Sequence, residues 1–234
     1  MTKSVICVII KKKRGFAVAV IEKNKLQFNT DIFGRMPERP LHLSVRPISV
    51  NEEFGDGFVI LKEMEMELEF MNGIAKLPFS LFIPKSKEPC PAVIVINDEK
   101  GFSDKVKEWT EKGYAVLSLY YRNISENNGN FKSGISAFIS PTRRKKSSAG
   151  KIAVWAWAAI RALEYAEVLD EIDKNRIGVW GKGVFGLSAL VAEANCKGFS
   201  MYLPKETSKI DESFIASNPY LFSPEFLKMQ FFDN

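Results

Sequence analysis

The stretch "RIGVWGKGVFGLSAL", Arg176–Leu190, decides the fold of this chain. An apolar run typical of a buried strand comes first, glycines interrupt it, and a helical pattern follows. Gly181, Gly183 and Gly186 spell G-x-G-x-x-G, the pattern that holds a pyrophosphate at a helix N-terminus in dinucleotide-binding proteins. A hydrolase holds its nucleophilic serine in the same succession of strand, turn and helix. The stretch therefore has two interpretations, a cofactor loop and a nucleophile elbow without its nucleophile.

The residues around this stretch alternate between strand and helix patterns. Continuous apolar runs predict buried strands at Pro91–Asn97 and Tyr114–Tyr121, and the stretch Asp173–Trp180 predicts a turn followed by a third buried strand. Helical patterns predict helices at Ser103–Gly113, Ala149–Leu169 and Leu187–Ala194, with Ser103 or Asp104 as the cap of the first. This succession predicts an α/β fold, a mostly parallel sheet with helices on both faces.

The N-terminal part of the chain is rich in strand patterns. Two apolar runs flank Lys11–Arg14 and predict a hairpin, and Asn72-Gly73 between two alternating runs predicts another. We expect one domain over residues 1–234, with an antiparallel β-rich part (1–88), an α/β core (89–204) and an aromatic tail (205–234) that packs on the core.

Composition excludes several classes of protein. The chain has 234 residues, 46% of them apolar, and a net charge of +5, which fits a globular protein with a mildly basic surface. The basic run Arg143–Lys146 has no aromatic or base-reading neighbours, so we expect a solvated loop and no nucleic-acid partner. No apolar stretch reaches the roughly 18 residues of a membrane span, so no membrane partner is expected.

The cysteines and the single histidine argue against a metal centre. Cys7, Cys90 and Cys196 are far apart in sequence, and His42 is the only histidine. This pattern offers neither zinc-ligand spacing nor a disulfide framework, and scattered thiols fit a reducing compartment. We therefore predict a cytoplasmic protein without a metal or other cofactor.

Several segments together resemble one group of hydrolases. They are "FGRMPERP" (Phe33–Pro40), "EKGYAVLSLYYRNIS" (Glu111–Ser125), "GKIAVWAWAAIRALEYAE" (Gly150–Glu167) and "IDKNRIGVWG" (Ile172–Gly181). In this order they are similar to the bacterial α/β-hydrolases related to glucuronoyl and acetyl-xylan esterases, often described as dienelactone-hydrolase-like. The resemblance implies an α/β-hydrolase fold and a carbohydrate-esterase ancestry, with a serine nucleophile at the elbow and a histidine base late in the chain.

The elbow of that group looks like G-H-S-R-L-G-K, and this chain departs from it. Gly181 and Gly186 keep the two glycines. The group's histidine, nucleophilic serine and oxyanion-side arginine correspond to Lys182, Gly183 and Val184. A glycine has no oxygen with which to attack an ester carbonyl, so the resemblance implies a degenerate elbow with no catalytic residue.

The general base is the second departure. A serine hydrolase needs a base, nearly always histidine, within hydrogen-bond reach of the nucleophile. His42 precedes the α/β core, whereas the group's acid and histidine follow the last strands and are expected beyond Asn234. We therefore expect a C-terminally shortened hydrolase fold without esterase activity.

Two alternatives stay open. An active carboxylic-ester hydrolase could use Ser188 or Cys196 as a non-standard nucleophile. A dinucleotide-binding protein would use the three glycines, with Glu206 about 20 residues further on as the ribose-binding acid. The motif follows the third core strand instead of the first, which argues against this second alternative.

The acidic residues after the first core strand are a weaker signal. Asp98, Glu99 and Asp104 lie where the hydrolase group places its oxyanion loop. Carboxylates there would repel a developing oxyanion, while the simpler interpretation is a solvated loop and a helix cap. The main prediction is a degenerate hydrolase whose old pocket, around Gly181–Gly186, binds a small molecule such as a sugar acid or takes part in a protein interaction. A shortened homologue with no selected activity fits the sequence equally well. A homodimer that covers the exposed edge of the sheet is expected as well.

Overall fold

A computed structural model describes residues 6–12, 15–21, 30–141, 143–205 and 212–231. Its strands are β1 (Ile6–Lys12), β2 (Gly15–Ile21), β3 (His42–Phe54), β4 (Val59–Phe70), β5 (Gly73–Pro84), β6 (Cys90–Asn97), β7 (Ala115–Tyr120), β8 (Ile172–Lys182) and β9 (Met201–Lys205). Its helices are α1 (Thr30–Phe33), α2 (Asp104–Glu111), α3 (Tyr121–Ile124), α4 (Ser136–Ile139), α5 (Lys151–Ala166), α6 (Val184–Asn195), α7 (Glu212–Ser217) and α8 (Pro224–Phe231), with a 3-10 turn at Pro219–Leu221.

The strands β3 to β9 form one mixed sheet in the order β3-β4-β5-β7-β6-β8-β9. The strands β7, β6, β8 and β9 are parallel, while β3, β4 and β5 form an antiparallel meander that joins β7 in antiparallel register. This arrangement confirms the predicted α/β-hydrolase-like fold with an antiparallel N-terminal part.

Both predicted hairpins are present. The strands β1 and β2 pair antiparallel around Lys12 and Gly15, and they form a two-stranded sheet of their own. The β4–β5 hairpin closes where Phe70 pairs with Gly73, with Asn72 in the turn. The strand β4 buries alternate methionine and leucine side chains and directs the intervening glutamates to the more exposed face, as its sequence pattern predicts.

The central strands are buried on both faces. Along β6, Ala92, Ile94 and Ile96 belong to the core under α5 and α6, whereas Val93 and Val95 face a smaller core. Val106 of α2 packs in that smaller core, which explains why β6 has no polar alternation.

The helix α5 is buried on nearly all sides, not on one stripe as its periodicity predicts. Fourteen of its 16 residues are buried, including the charged Lys151 and Arg161. Its alanines allow close packing against α6 and the sheet. The tail packs against the N-terminus of α5, where a Cβ atom on Gly150 would lie 2.2 Å from the Leu221 carbonyl oxygen. Phe222 and Phe226 of the tail belong to the same core as α5. This confirms the predicted packing of the tail for its described residues.

None of the described helices is long and apolar enough to cross a membrane.

Candidate functional site

The glycine turn of the opening stretch is a single-residue bend between β8 and α6. β8 ends at Lys182, α6 begins at Val184, and Gly183 lies between them with φ 58° and ψ −122°. A side chain in this region of backbone conformation is strained, and glycine adopts it freely. The backbone N–H of Gly186 donates to the Gly183 carbonyl at 3.1 Å and closes the first helical turn. The predicted helix start at Leu187 was therefore too late.

Gly181 is required by close approach of the backbone. A Cβ atom on Gly181 would lie 2.3 Å from the Phe185 carbonyl oxygen and 2.8 Å from the Gly186 nitrogen. Real Cβ atoms do not approach backbone atoms so closely, so any larger residue at 181 would force the turn open. This is the packing that a nucleophile elbow demands of the glycine before its nucleophile.

The five predicted site residues lie together in this turn. Gly181 and Gly186 are buried, Lys182 is exposed, and Gly183 and Val184 are half-buried. The backbone N–H of Val184, directly after the nucleophile position, corresponds to one donor of a hydrolase oxyanion hole. The N-terminal end of a helix also carries partial positive charge. The turn therefore retains the backbone of an elbow and a basic side chain beside it.

An aromatic cluster of Phe185, Trp155 and Tyr121 supports the elbow, and it is not among the predicted site residues. The Phe185 ring is buried. Its centroid lies 4.9 Å from that of Trp155 in α5 and 5.2 Å from that of Tyr121, which follows β7. The Trp155 indole N–H donates to the Ser125 carbonyl at 3.0 Å. The Arg122 guanidinium donates to the Tyr121 hydroxyl at 2.8 Å, and this bond raises the pKa of Arg122. The sequence signal for this cluster is the position of its aromatic residues: Tyr121 directly follows β7, and Trp155 and Phe185 lie near the starts of α5 and α6.

The segment after β6 is a capped helix start. The buried Asn97 amide donates to the Ser103 hydroxyl at 2.9 Å, and that hydroxyl accepts the Val106 N–H, so Ser103 is the cap of α2. The side chains of Asp98, Glu99 and Asp104 are exposed, in agreement with the simpler interpretation of a solvated loop and cap.

His42 lies far from the elbow. It is exposed at the start of β3, the first strand of the sheet, whereas the elbow follows β8, the sixth. Five spacings between neighbouring strands correspond to about 24 Å. His42 therefore does not share the turn with any of the predicted site residues.

Neither non-standard nucleophile lies at the bend. Ser188 is completely buried and its hydroxyl donates to the Val184 carbonyl at 3.2 Å, which is the back-bonded arrangement of a helical serine. Cys196 follows the end of α6, and twelve helical residues span about 18 Å. Glu206, the predicted ribose-binding acid, lies outside the described residues.

The described part of the chain contains no group of three or more His, Cys, Asp or Glu side chains that could hold a metal ion.

Comparison with known proteins gives one family. Residues 68–212, more than half of the chain, match the family model "Glucuronyl esterase, fungi". No curated protein matches the chain significantly in sequence.

Solved structures show the same fold. A glucuronoyl esterase from Solibacter usitatus superposes with a TM-score of 0.73 at 21% identity, over 87% of this chain and 65% of that one. A glucuronoyl esterase from Teredinibacter turnerae gives a TM-score of 0.64 at 22% identity, over 85% and 57%. A mutant glucuronoyl esterase from Sporotrichum thermophile, in complex with methyl 4-O-methyl-beta-D-glucopyranuronate, gives 0.59 at 18%, over 86% and 55%. The chain thus spans less than two thirds of the length of these structures.

Proposed function

The chain belongs to the glucuronyl esterase family, and we propose that it is a non-hydrolytic member that binds a sugar acid or a similar small molecule at the elbow. The observation that carries this proposal is Gly183, which has the bent backbone of an elbow nucleophile at φ 58° and ψ −122° but no side chain.

The glycine removes the first step of ester hydrolysis. A covalent acyl-enzyme forms only when a side-chain oxygen or sulfur attacks the carbonyl carbon. At Gly183 there is no such atom, and the buried Ser188 hydroxyl is already hydrogen-bonded to the Val184 carbonyl. The position of His42 supports the same conclusion, because it lies five strands away from the elbow and is out of reach as a base there.

The groups that remain at the elbow favour an anionic ligand. The Val184 N–H at the start of α6 and the exposed Lys182 side chain supply a donor and a positive charge. The Phe185, Trp155 and Tyr121 rings support the turn from the core side. Rigid donors next to a positive charge suit the carboxylate of a sugar acid or the polarised carbonyl of its ester.

Calorimetric titration tests the proposed binding. We expect saturable binding of methyl 4-O-methyl-beta-D-glucopyranuronate or of glucuronate to the wild-type protein, with no release of methanol from the ester. Lys182→Gln should weaken the binding of glucuronate about tenfold, because a charged hydrogen bond is lost. Lys174→Gln is the matched control, since Lys174 is exposed near the opposite end of β8. Equal affinities in all three proteins, or no binding to any of them, would contradict the proposal.

The dinucleotide alternative rests on the G-x-G-x-x-G spacing at a strand-to-helix turn. Titration with NADH, followed by fluorescence, distinguishes it from the main proposal. Saturable binding at about micromolar concentrations, lost in a Gly183→Ala variant, would favour this alternative. The cytoplasmic location stays a prediction.

A further inference from the structure

A cavity lies in the segment between α3 and α5. It has a volume of about 260 Å³, below the ~300–1,000 Å³ of pockets for drug-sized ligands. Its wall includes Phe131, Lys132, Ser140 and Arg144. We call it the Arg144 cavity. None of the elbow residues belongs to its wall, so it is distinct from the candidate site described above.

Two cations lie over one aromatic ring beside this cavity. The Arg144 guanidinium carbon is 4.0 Å from the Phe131 ring centroid, and the Lys151 ammonium is 4.2 Å from it. Arg144 also donates to the Ala149 carbonyl at 2.8 Å. The Lys151 side chain is fully buried and donates to the Ser125 hydroxyl and the Asn130 carbonyl. Arg144 is therefore not the freely solvated side chain that the basic run Arg143–Lys146 predicts.

Within the segments that the structure describes, only the Glu126 carboxylate offsets the charge of Lys151, and burial alone acts on the pKa of Arg144. The contacts that Arg144 and Lys151 make there are with carbonyl oxygens, the Ser125 hydroxyl and the Phe131 ring, and none is with a carboxylate. The charge of Glu126 favours protonated Lys151, but the Glu126 carboxylate accepts the side-chain amides of Asn128 and Asn130 at 3.2 and 3.4 Å.

Burial of these two cations disfavours their charged forms. Burial lowers the pKa of Lys151 to about 8 and that of Arg144 to about 10. Buried charge without a counter-ion is unfavourable, and a bound anion would offset the cost.

Ser140, in the wall of the same cavity, carries a buried hydroxyl without a hydrogen-bond partner in the described structure. A buried polar group of this kind costs free energy unless a ligand or water satisfies it. A guanidinium and a hydroxyl in one cavity wall are the donors that phosphate and carboxylate groups take up.

We propose that the Arg144 cavity binds a small oxyanion, either phosphate or a carboxylate, through the Arg144 guanidinium and the Ser140 hydroxyl. The positive charge of Lys151, 4.2 Å from the Phe131 ring centroid, adds Coulombic attraction at longer range. This proposal goes beyond binding at the elbow and does not depend on it.

Titration of the wild-type protein with inorganic phosphate and, separately, with acetate tests the proposal. We expect saturable binding of at least one anion with a Kd of about 1 mM or tighter, and a rise in Tm that chloride at equal ionic strength does not reproduce. Arg144→Gln should weaken binding about ten- to hundredfold. Arg143→Gln is the matched control because the Arg143 side chain is exposed and does not belong to the cavity wall.

Three results would overturn the proposal. The first is the absence of saturable binding of either anion to the wild-type protein, a result that does not depend on the folding of any variant. Another is an equal effect of Arg143→Gln and Arg144→Gln, in variants whose circular dichroism matches the wild type. The last is loss of anion binding in Lys182→Gln but not in Arg144→Gln, since this would place the anion at the elbow. Binding of glucuronate at the elbow is measured separately, so failure of one proposal leaves the other intact.

Discussion

Replacement of Gly181 by alanine tests whether the elbow is built as described. The added methyl group would meet the carbonyl of Phe185 at 2.3 Å and the nitrogen of Gly186 at 2.8 Å. Ordinary contacts of a Cβ atom are about 3.4–4 Å, so the turn must open by about 1 Å. All the opposing atoms belong to the backbone, and no side chain can rotate away.

The expected cost follows from this geometry. Overpacking usually lowers the free energy of unfolding by about 1–3 kcal/mol. Because only backbone atoms face the added methyl group, we expect Gly181→Ala to cost about 3 kcal/mol or more. Gly113→Ala is the matched control, because Gly113 has φ +80° but nothing within 4 Å of an added Cβ. The left-handed conformation alone costs about 1 kcal/mol there. Gly181 has no such φ, so the two variants separate contact from backbone strain.

Urea unfolding at equilibrium and thermal melts measure the two costs. For a chain of this length, 1 kcal/mol corresponds to a change in Tm of about 2–4 °C. We predict that Gly181→Ala lowers the Tm by roughly 6 °C or more and Gly113→Ala by roughly half of that or less. A loss of stability in Gly181→Ala equal to or smaller than that in Gly113→Ala would refute the close approach of Phe185 to Gly181, and with it the elbow.

Further predictions concern α5, the cysteines and assembly. Because the pKa of Lys151 falls from 10.5 to about 8 in the folded state, the wild-type protein gains stability as the pH rises between these values. Lys151→Met should remove that gain. It should also raise the free energy of unfolding near pH 7 by about 1–2 kcal/mol, a value discounted for solvent screening. A difference in stability between the variant and the wild type that is the same near pH 7 and near pH 10 would contradict this. Trp155→Phe should cost about 1–2 kcal/mol in urea unfolding because it leaves the Ser125 carbonyl without its indole donor, and an unchanged midpoint would contradict that role. Burial raises the pKa of the Cys90 thiol. Iodoacetamide should therefore modify half-exposed Cys196 before Cys90, as peptide mass spectrometry can show. Modification in the reverse order would contradict the burial of Cys90. The predicted homodimer requires concentration-dependent sedimentation, and a strictly monomeric profile at high concentration would contradict it.

The sequence predicts the sheet and the elbow well because their signals are local. The apolar run of β6 reflects burial on two faces, and Asn72-Gly73 encodes its hairpin directly. The spacing of Gly181, Gly183 and Gly186 predicts a tight turn between a strand and a helix, and the conformation of Gly183 between β8 and α6 agrees with that prediction.

The sequence does not predict the side-chain contacts between segments that are distant along the chain. Nothing near Arg144 or Lys151 in sequence indicates that both lie over Phe131, since the α3–α5 segment must fold back to bring them there. In the same way, Phe185 meets Tyr121 and Trp155 only because β7, α5 and α6 end at one edge of the sheet.

The proposed absence of hydrolysis is tested most directly by a fluorophosphonate label combined with an ester assay on methyl 4-O-methyl-beta-D-glucopyranuronate. We predict no label on the wild-type protein and no ester cleavage above the buffer rate, because Gly183 offers no nucleophilic atom. The matched variant Gly183→Ser restores the atom, but His42 is too far from the elbow to act as its base, so we predict that it also stays inactive. Stoichiometric labelling of the wild type, or ester cleavage that increases with its concentration, would contradict the central claim.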